Sequence, residues 1–131
     1  MEPQINADKH RLDAVSEQII GCAFRVANTL GCGFLEKVYE NALVHEIRKS
    51  GLSVDQQKGI KVIYDNVVVG EYVPDILVEN AVVVEAKSVK SLDDVHFAQC
   101  LNYLRASDLK LCLLINFGTP KVSIKRVVHN L

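Results

Sequence analysis

Leu12, Val15, Ile19, Cys22, Val26 and Leu30 recur at steps of three and four, the spacing that holds apolar side chains on one side of a helix, and Gly31-Cys32-Gly33 closes that segment. A second helix is predicted over about 34–50, with Leu35, Val38, Ala42 and Ile47 on its apolar side and Gly51 at its end. From Leu52 the period shortens to that of strands. Four are predicted, over 53–57, 60–64, 67 to about 78, and 81–87, with Asp65-Asn66 and Glu79-Asn80 as turns. Ser91-Leu92-Asp93-Asp94 offers an N-cap and an acidic first turn to a third helix through about Ala106, whose expected inner face is Val95, Ala98, Leu101 and Leu104. Residues 111–117 read as a strand covered on both faces. After Gly118-Thr119-Pro120, Val122 and Ile124 alternate with Lys121, Ser123 and Lys125, as an edge strand with one wet face should. Helices flanking a mixed sheet, in the α/β (α+β) class, are the architecture this order predicts.

Charges interrupt the apolar frame at one place. Pro74-Asp75 is followed, ten residues after the aspartate, by Glu85-Ala86-Lys87, which ends the apolar run Ala81-Val82-Val83-Val84. Side chains i and i+2 of a strand share a face, so Glu85 and Lys87 point one way and Val84 and Ala86 the other. Ionised groups against a core need a partner or a metal to offset desolvation. Asp75 and Glu85 can share a hard divalent cation only if they lie on the same face, which requires an odd number of residues in the turn. A three-residue connection, Glu79 to Ala81, or an equivalent bulge, is therefore expected, with Asp75 opposite Glu85 and Leu77 opposite Val83. Singly, each feature has a plainer reading: Glu85 and Lys87 as a salt bridge, Gln99 and Tyr103 as helix neighbours, His96 as a core or surface histidine, Glu36 as a helix-dipole residue.

At 131 residues, with 49% hydrophobic and 24% charged composition, one globular domain spanning 1–131 is expected. The N-terminus has no apolar signal-like stretch and no segment is apolar enough to span a membrane, so a cytoplasmic protein is expected. Cys22, Cys32, Cys100 and Cys112 form no C-x-x-C pair and sit in apolar contexts, as buried thiols would. The net charge of −1 argues against avid non-specific binding of nucleic acid by the chain as a whole. Its distribution is uneven. Residues 1–85 carry eight Lys/Arg and thirteen Asp/Glu, residues 86–131 seven and three, so Lys87, Lys90, Lys110, Lys121, Lys125 and Arg126 could line one side of a phosphate-binding groove. Gly31-Cys32-Gly33 is no dinucleotide loop, since it follows a helix and has Glu36 where a third glycine belongs.

Taken together, these residues resemble the PD-(D/E)XK nuclease superfamily, and within it the small prokaryotic group named for the motif G-x-x-E-x-x-Y, here Gly33-Phe-Leu-Glu36-Lys-Val-Tyr39 continuing as Glu40-Asn41-Ala42-Leu43. The likeness runs from about Val15 to Val128 and includes Val73-Pro-Asp-Ile-Leu-Val, Val84-Glu-Ala-Lys and Leu113-Leu-Ile-Asn-Phe-Gly. Gln99-Cys-Leu-Asn-Tyr103 is similar to the Q-x-x-x-Y element of RecB-like exonucleases. The resemblance implies a restriction-endonuclease-like αβββαβ core preceded by an extra helix, and a metal-dependent nuclease acting on DNA. It implies Mg²⁺ or Mn²⁺ on Asp75, Glu85 and the Ala86 carbonyl, with Lys87, Glu36 and Gln99 also catalytic. Tyr103, His96, Lys90 and Tyr39 would bind substrate. The clustered cysteines of Fe–S-bearing relatives are missing, so no cluster is carried over. A homodimer is compatible with so small a chain gripping a duplex. The rival expectation is a catalytically silent nucleic-acid-binding or assembly module that keeps the fold.

Overall fold

The computed structural model describes residues 3–131, with side chains described from Asp8 onward. The order is α1 (Pro3–Leu30), α2 (Glu36–Lys49), β1 (Val54–Gln56), β2 (Ile60–Tyr64), β3 (Val67–Tyr72), β4 (Ile76–Val78), β5 (Val82–Lys87), α3 (Asp94–Ser107), β6 (Leu111–Asn116) and β7 (Ser123–Val128). Five strands form one mixed sheet in the order β1-β4-β5-β6-β7, while β2 and β3 form a separate two-stranded sheet. Only β5 and β6 run parallel, joined by the crossover through α3; their neighbours pair antiparallel. This is the mixed α+β architecture of restriction-endonuclease-like folds, with α1 as the additional helix. Among the described residues no helix is long and apolar enough to cross a membrane.

Strand alternation divides the interior into two layers. Val82, Val84, Ala86, Ile76, Val78, Leu113 and Ile115 face α1 and α2, packing with Val15, Ile19, Cys22, Leu43 and Ile47. On the other face, Leu77, Val83, Cys112 and Leu114 pack with Cys100, Tyr103 and Leu104 of α3. Burying both faces is what makes β5 and β6 apolar almost throughout.

Several boundaries differ from the sequence expectation. The segment 67–78 is two strands in two sheets, because Pro74 lacks an N–H and restricts Val73, so the ladder cannot continue through them. The inner face of α3 is Phe97, Cys100, Tyr103 and Leu104, whereas Val95 is 73% exposed and Ala98 is also on the surface. That rotation turns Tyr103 inward. Its start is fixed by a reciprocal cap, in which Val95 N–H donates to Asp93 Oδ1 (3.1 Å) and Asp93 N–H donates to His96 Nδ1 (3.1 Å). Cys32 is exposed in the turn after α1, so three thiols rather than four are buried. As expected, β7 is an edge strand of the main sheet.

Candidate active site

The β4–β5 register decides where the acids go. Ile76 pairs with Val84, Leu77 with Val83 and Val78 with Val82, so the connection is the three residues Glu79, Asn80 and Ala81. Glu79 and Asn80 both take positive φ (54° and 50°), and Ala81 N–H donates to the Val78 carbonyl (3.0 Å). Continuing the ladder by one step sets Asp75 opposite Glu85, on the face shared with Leu77 and Val83, toward α3. Asp75 is held from both sides. Its carbonyl accepts from Gln57 N–H (3.0 Å) and its Oδ2 accepts from Ala86 N–H (3.0 Å), drawing the carboxylate onto the end of β5.

Glu85 is 1% exposed, and its Oε1 has no hydrogen-bond partner. Burial pushes its carboxyl up to about 9, Asp75 adds to the shift, and the charge of Lys87 and a hydrogen bond with Tyr103 oppose it. Tyr103 is buried against the pair, its hydroxyl driven well above the ordinary tyrosine range by burial and by the charge of Glu85. A second internal carboxylate makes the contrast. Glu40 of α2 is 3% exposed, yet its Oε2 accepts from Gln56 Nε2 (2.7 Å), Gln57 Nε2 (2.9 Å) and Lys37 Nζ (3.0 Å). Burial works against its charge, but those bonds outweigh it and hold the carboxyl below the usual glutamate range. The fold satisfies Glu40 and leaves Oε1 of Glu85 without a donor. A divalent cation fits that deficit: two adjacent carboxylates, one with an unpaired buried oxygen, are hard oxygen ligands, and water completes the shell. No group of three or more His, Cys, Asp or Glu side chains is gathered as a metal cage among the described residues, so the acid set is this pair.

Lys87 ends β5 half-buried on the Glu85 face, and its carbonyl accepts from Phe117 N–H (2.8 Å). Gln99 lies one turn before Tyr103 on α3, half-buried. The next loop is clamped to β6: Asn116 Nδ2 donates to the Val89 carbonyl (2.9 Å), and its Oδ1 accepts from the N–H groups of Val89 and Gly118 (both 3.0 Å). Gly118 lies so close that an added Cβ would stand 2.3 Å from Val89 backbone atoms. Exposed Lys90 and Lys121 flank the two clamped segments.

The remaining expected site residues are elsewhere or otherwise engaged. Tyr39 is buried and engaged within its own loop: its hydroxyl donates to the Gly31 carbonyl (2.6 Å) and accepts from Phe34 N–H (3.2 Å), and its ring stacks on Phe117 at 4.8 Å. Gly33, at φ 117°, makes the turn that Tyr39 ties down, and Ser88 Oγ donates to the Phe34 carbonyl (3.2 Å), so the loop of residues 31–35 abuts the residue after Lys87. Glu36 is exposed in the first turn of α2 and is not gathered with Asp75 and Glu85. His96 is committed to the α3 cap. The expected cationic groove does not assemble, because Arg126 bonds Asp13 (3.3 Å) and Ser16 (3.2 Å) of α1, and Lys110 precedes β6 at the far end of the sheet. Glu40, Gln56, Gln57 and Asn116 were not singled out from sequence; the available signal was an acid on the apolar stripe of α2, four residues before Val44.

The family model of the PD-(D/E)XK nuclease superfamily matches residues 13–127. This chain belongs to that superfamily. Comparison with curated proteins and with solved structures gives no match. The P-D…E-x-K residues Pro74-Asp75, Glu85 and Lys87 lie within the matched span, toward the carboxyl end of the parallel pair, where α/β sheets place ligands.

Proposed function

We propose that this PD-(D/E)XK protein is a cytoplasmic, metal-dependent nuclease of the G-x-x-E-x-x-Y group that hydrolyses phosphodiester bonds in DNA with Mg²⁺ or Mn²⁺. One observation carries the reading: Glu85 Oε1 is buried without a partner beside Asp75, while the equally buried Glu40 has three donors. Asp75 and Glu85 would hold the cation, with the Ala86 carbonyl available as a further oxygen. When bound, the cation supplies Lewis-acid polarisation of a phosphoryl oxygen and a lowered pKa for the attacking water. Lys87 offsets the charge that builds on the phosphoryl oxygens as the new P–O bond forms and the leaving oxygen takes its electron pair. Gln99 and Lys90 orient the strand on either side of Lys87. Tyr103, buried, holds Glu85 against α3 rather than meeting substrate. A homodimer would give a duplex a larger footprint than one chain.

The test is incubation of pure protein with end-labelled single-stranded, duplex and flapped DNA and RNA, with Mg²⁺, Mn²⁺ or EDTA. DNA cleavage that requires the cation and disappears in Asp75→Ala and Glu85→Ala is expected. Wild-type cleavage by Glu85→Ala would refute the assignment, and no cleavage by the parent protein on any substrate would favour the catalytically silent reading.

A further inference from the structure

Strand β1 ends against Asp75, and the carboxylate that anchors that end belongs to the helix layer. Gln56 pairs with Ile76, and one residue on, Gln57 N–H donates to the Asp75 carbonyl (3.0 Å). Consecutive side chains of a regular strand point to opposite faces, so Gln56 and Gln57 would ordinarily reach different layers. Here they meet. Gln57 leaves the pleat at φ 58°, a left-handed conformation that is costly for a residue with a Cβ, and both side-chain amides donate to Glu40 Oε2, at 2.7 Å from Gln56 and 2.9 Å from Gln57.

Glu40 is buried on α2, where a carboxylate is expensive to keep unless donors meet it. It is not one of the candidate cation ligands. Its Oε2 also accepts from Lys37 Nζ (3.0 Å), and no third acid is gathered with Asp75 and Glu85 among the described residues. Its bonds run toward Asp75 instead. That residue stands one place before β4 and follows Pro74, which has no N–H, so its backbone is held from the end of β1 while its Oδ2 accepts from Ala86 N–H (3.0 Å) on β5. A shift in the end of β1 therefore moves the Asp75 carboxylate relative to Glu85.

We propose that Glu40 is a positioning residue for the metal site, setting the Asp75 carboxylate through Gln57 and the end of β1. That role rests on the reading of Asp75 and Glu85 as cation ligands. Partners that orient metal ligands from behind commonly carry about 10–100-fold in metal affinity.

Calorimetry with Mn²⁺ on the full chain, without nucleic acid, is the test. Glu40→Ala should raise the Mn²⁺ dissociation constant at least about tenfold. Gln57→Asn should do the same, since asparagine tolerates the left-handed turn but is one methylene too short to reach Glu40. The double variant should lose no more than either single one, because both cut the same link. Glu40→Gln keeps an acceptor oxygen for the two amides and should restore most of the affinity, whereas an effect of the Glu40 charge alone would be lost in it as fully as in Glu40→Ala. Amide exchange supplies a readout free of metal: Gln57 and Ala86 should lose protection in Glu40→Ala while the β6 amides keep theirs. Unchanged Mn²⁺ affinity in Glu40→Ala, equal losses in Glu40→Ala and Glu40→Gln, or additive losses in the double variant would overturn the inference and leave the cation site standing. Absence of Mn²⁺ binding by the parent protein would overturn both.

Discussion

Replacing Glu85 by glutamine tests the deficit at the site without any substrate. In the folded protein the carboxyl titrates at about 9, against 4.5 for an unperturbed glutamate, so between those values the folded state holds a proton that the unfolded state has released. Stability therefore falls as pH rises through that window, by up to ~1.4 kcal/mol per pH unit, and is fully retained only below the unfolded value. From pH 5 to pH 8 the metal-free protein should lose about 4 kcal/mol at most, a large share of the ~5–15 kcal/mol typical of a domain. Glu40 and Glu79, whose carboxyls lie below the ordinary value, act only under acid conditions and do not overlap this window. Glutamine keeps the shape and cannot ionise, so Glu85→Gln should show a nearly flat profile and exceed the parent protein at pH 8. Urea unfolding in EDTA at pH 5, 6, 7 and 8 on both proteins measures it. Mn²⁺ at ~100 times its dissociation constant should restore ~2.7 kcal/mol at pH 8 to the parent protein and much less to the variant. Parallel pH profiles for the two proteins, or equal rescue by Mn²⁺, would refute the reasoning.

Lys87→Ala should retain Mn²⁺ binding by calorimetry yet lose about 10²–10³-fold in cleavage rate, since its role lies in the transition state. Gly118→Ala should destabilise by about 2 kcal/mol or more and lower cleavage with it, because the new methyl displaces the Val89 backbone that follows Lys87; thermal unfolding and a nuclease assay read both. Glu40→Ala should cost about 1 kcal/mol in urea unfolding, since its hydrogen bonds are lost while Gln56 keeps Asn41 Oδ1 (2.7 Å) and exposed Gln57 turns to water. Thiol titration should find Cys32 reactive in the native protein and Cys22, Cys100 and Cys112 only after denaturation, without stoichiometric zinc or iron.

Local periodicity and turn chemistry, which depend on neighbours in the chain, were enough to read the three helices, most of the strands and the pairing of Asp75 with Glu85. The last needed a functional premise as well: carboxylates that share a cation must lie on one face, face alternation of period two then requires an odd turn, and Glu79 and Asn80 take the positive φ of that turn. What depends on which surfaces meet was decided by tertiary structure alone. Pro74 marks a break, but only packing sends β3 into a separate sheet and leaves its valines bare. The α3 stripe was misread because Val95 and Ala98 are apolar without being covered, and hydrophobicity at a position does not say whether a neighbour exists to bury it. Tyr39 carries a motif's name, yet its hydroxyl is spent on the backbone of its own loop. Glu40 and Glu85 are the same residue type on apolar elements; the difference between them is three donors, two of which come from Gln56 and Gln57 across the fold, so only the assembled structure separates the carboxylate that is satisfied from the one that is not.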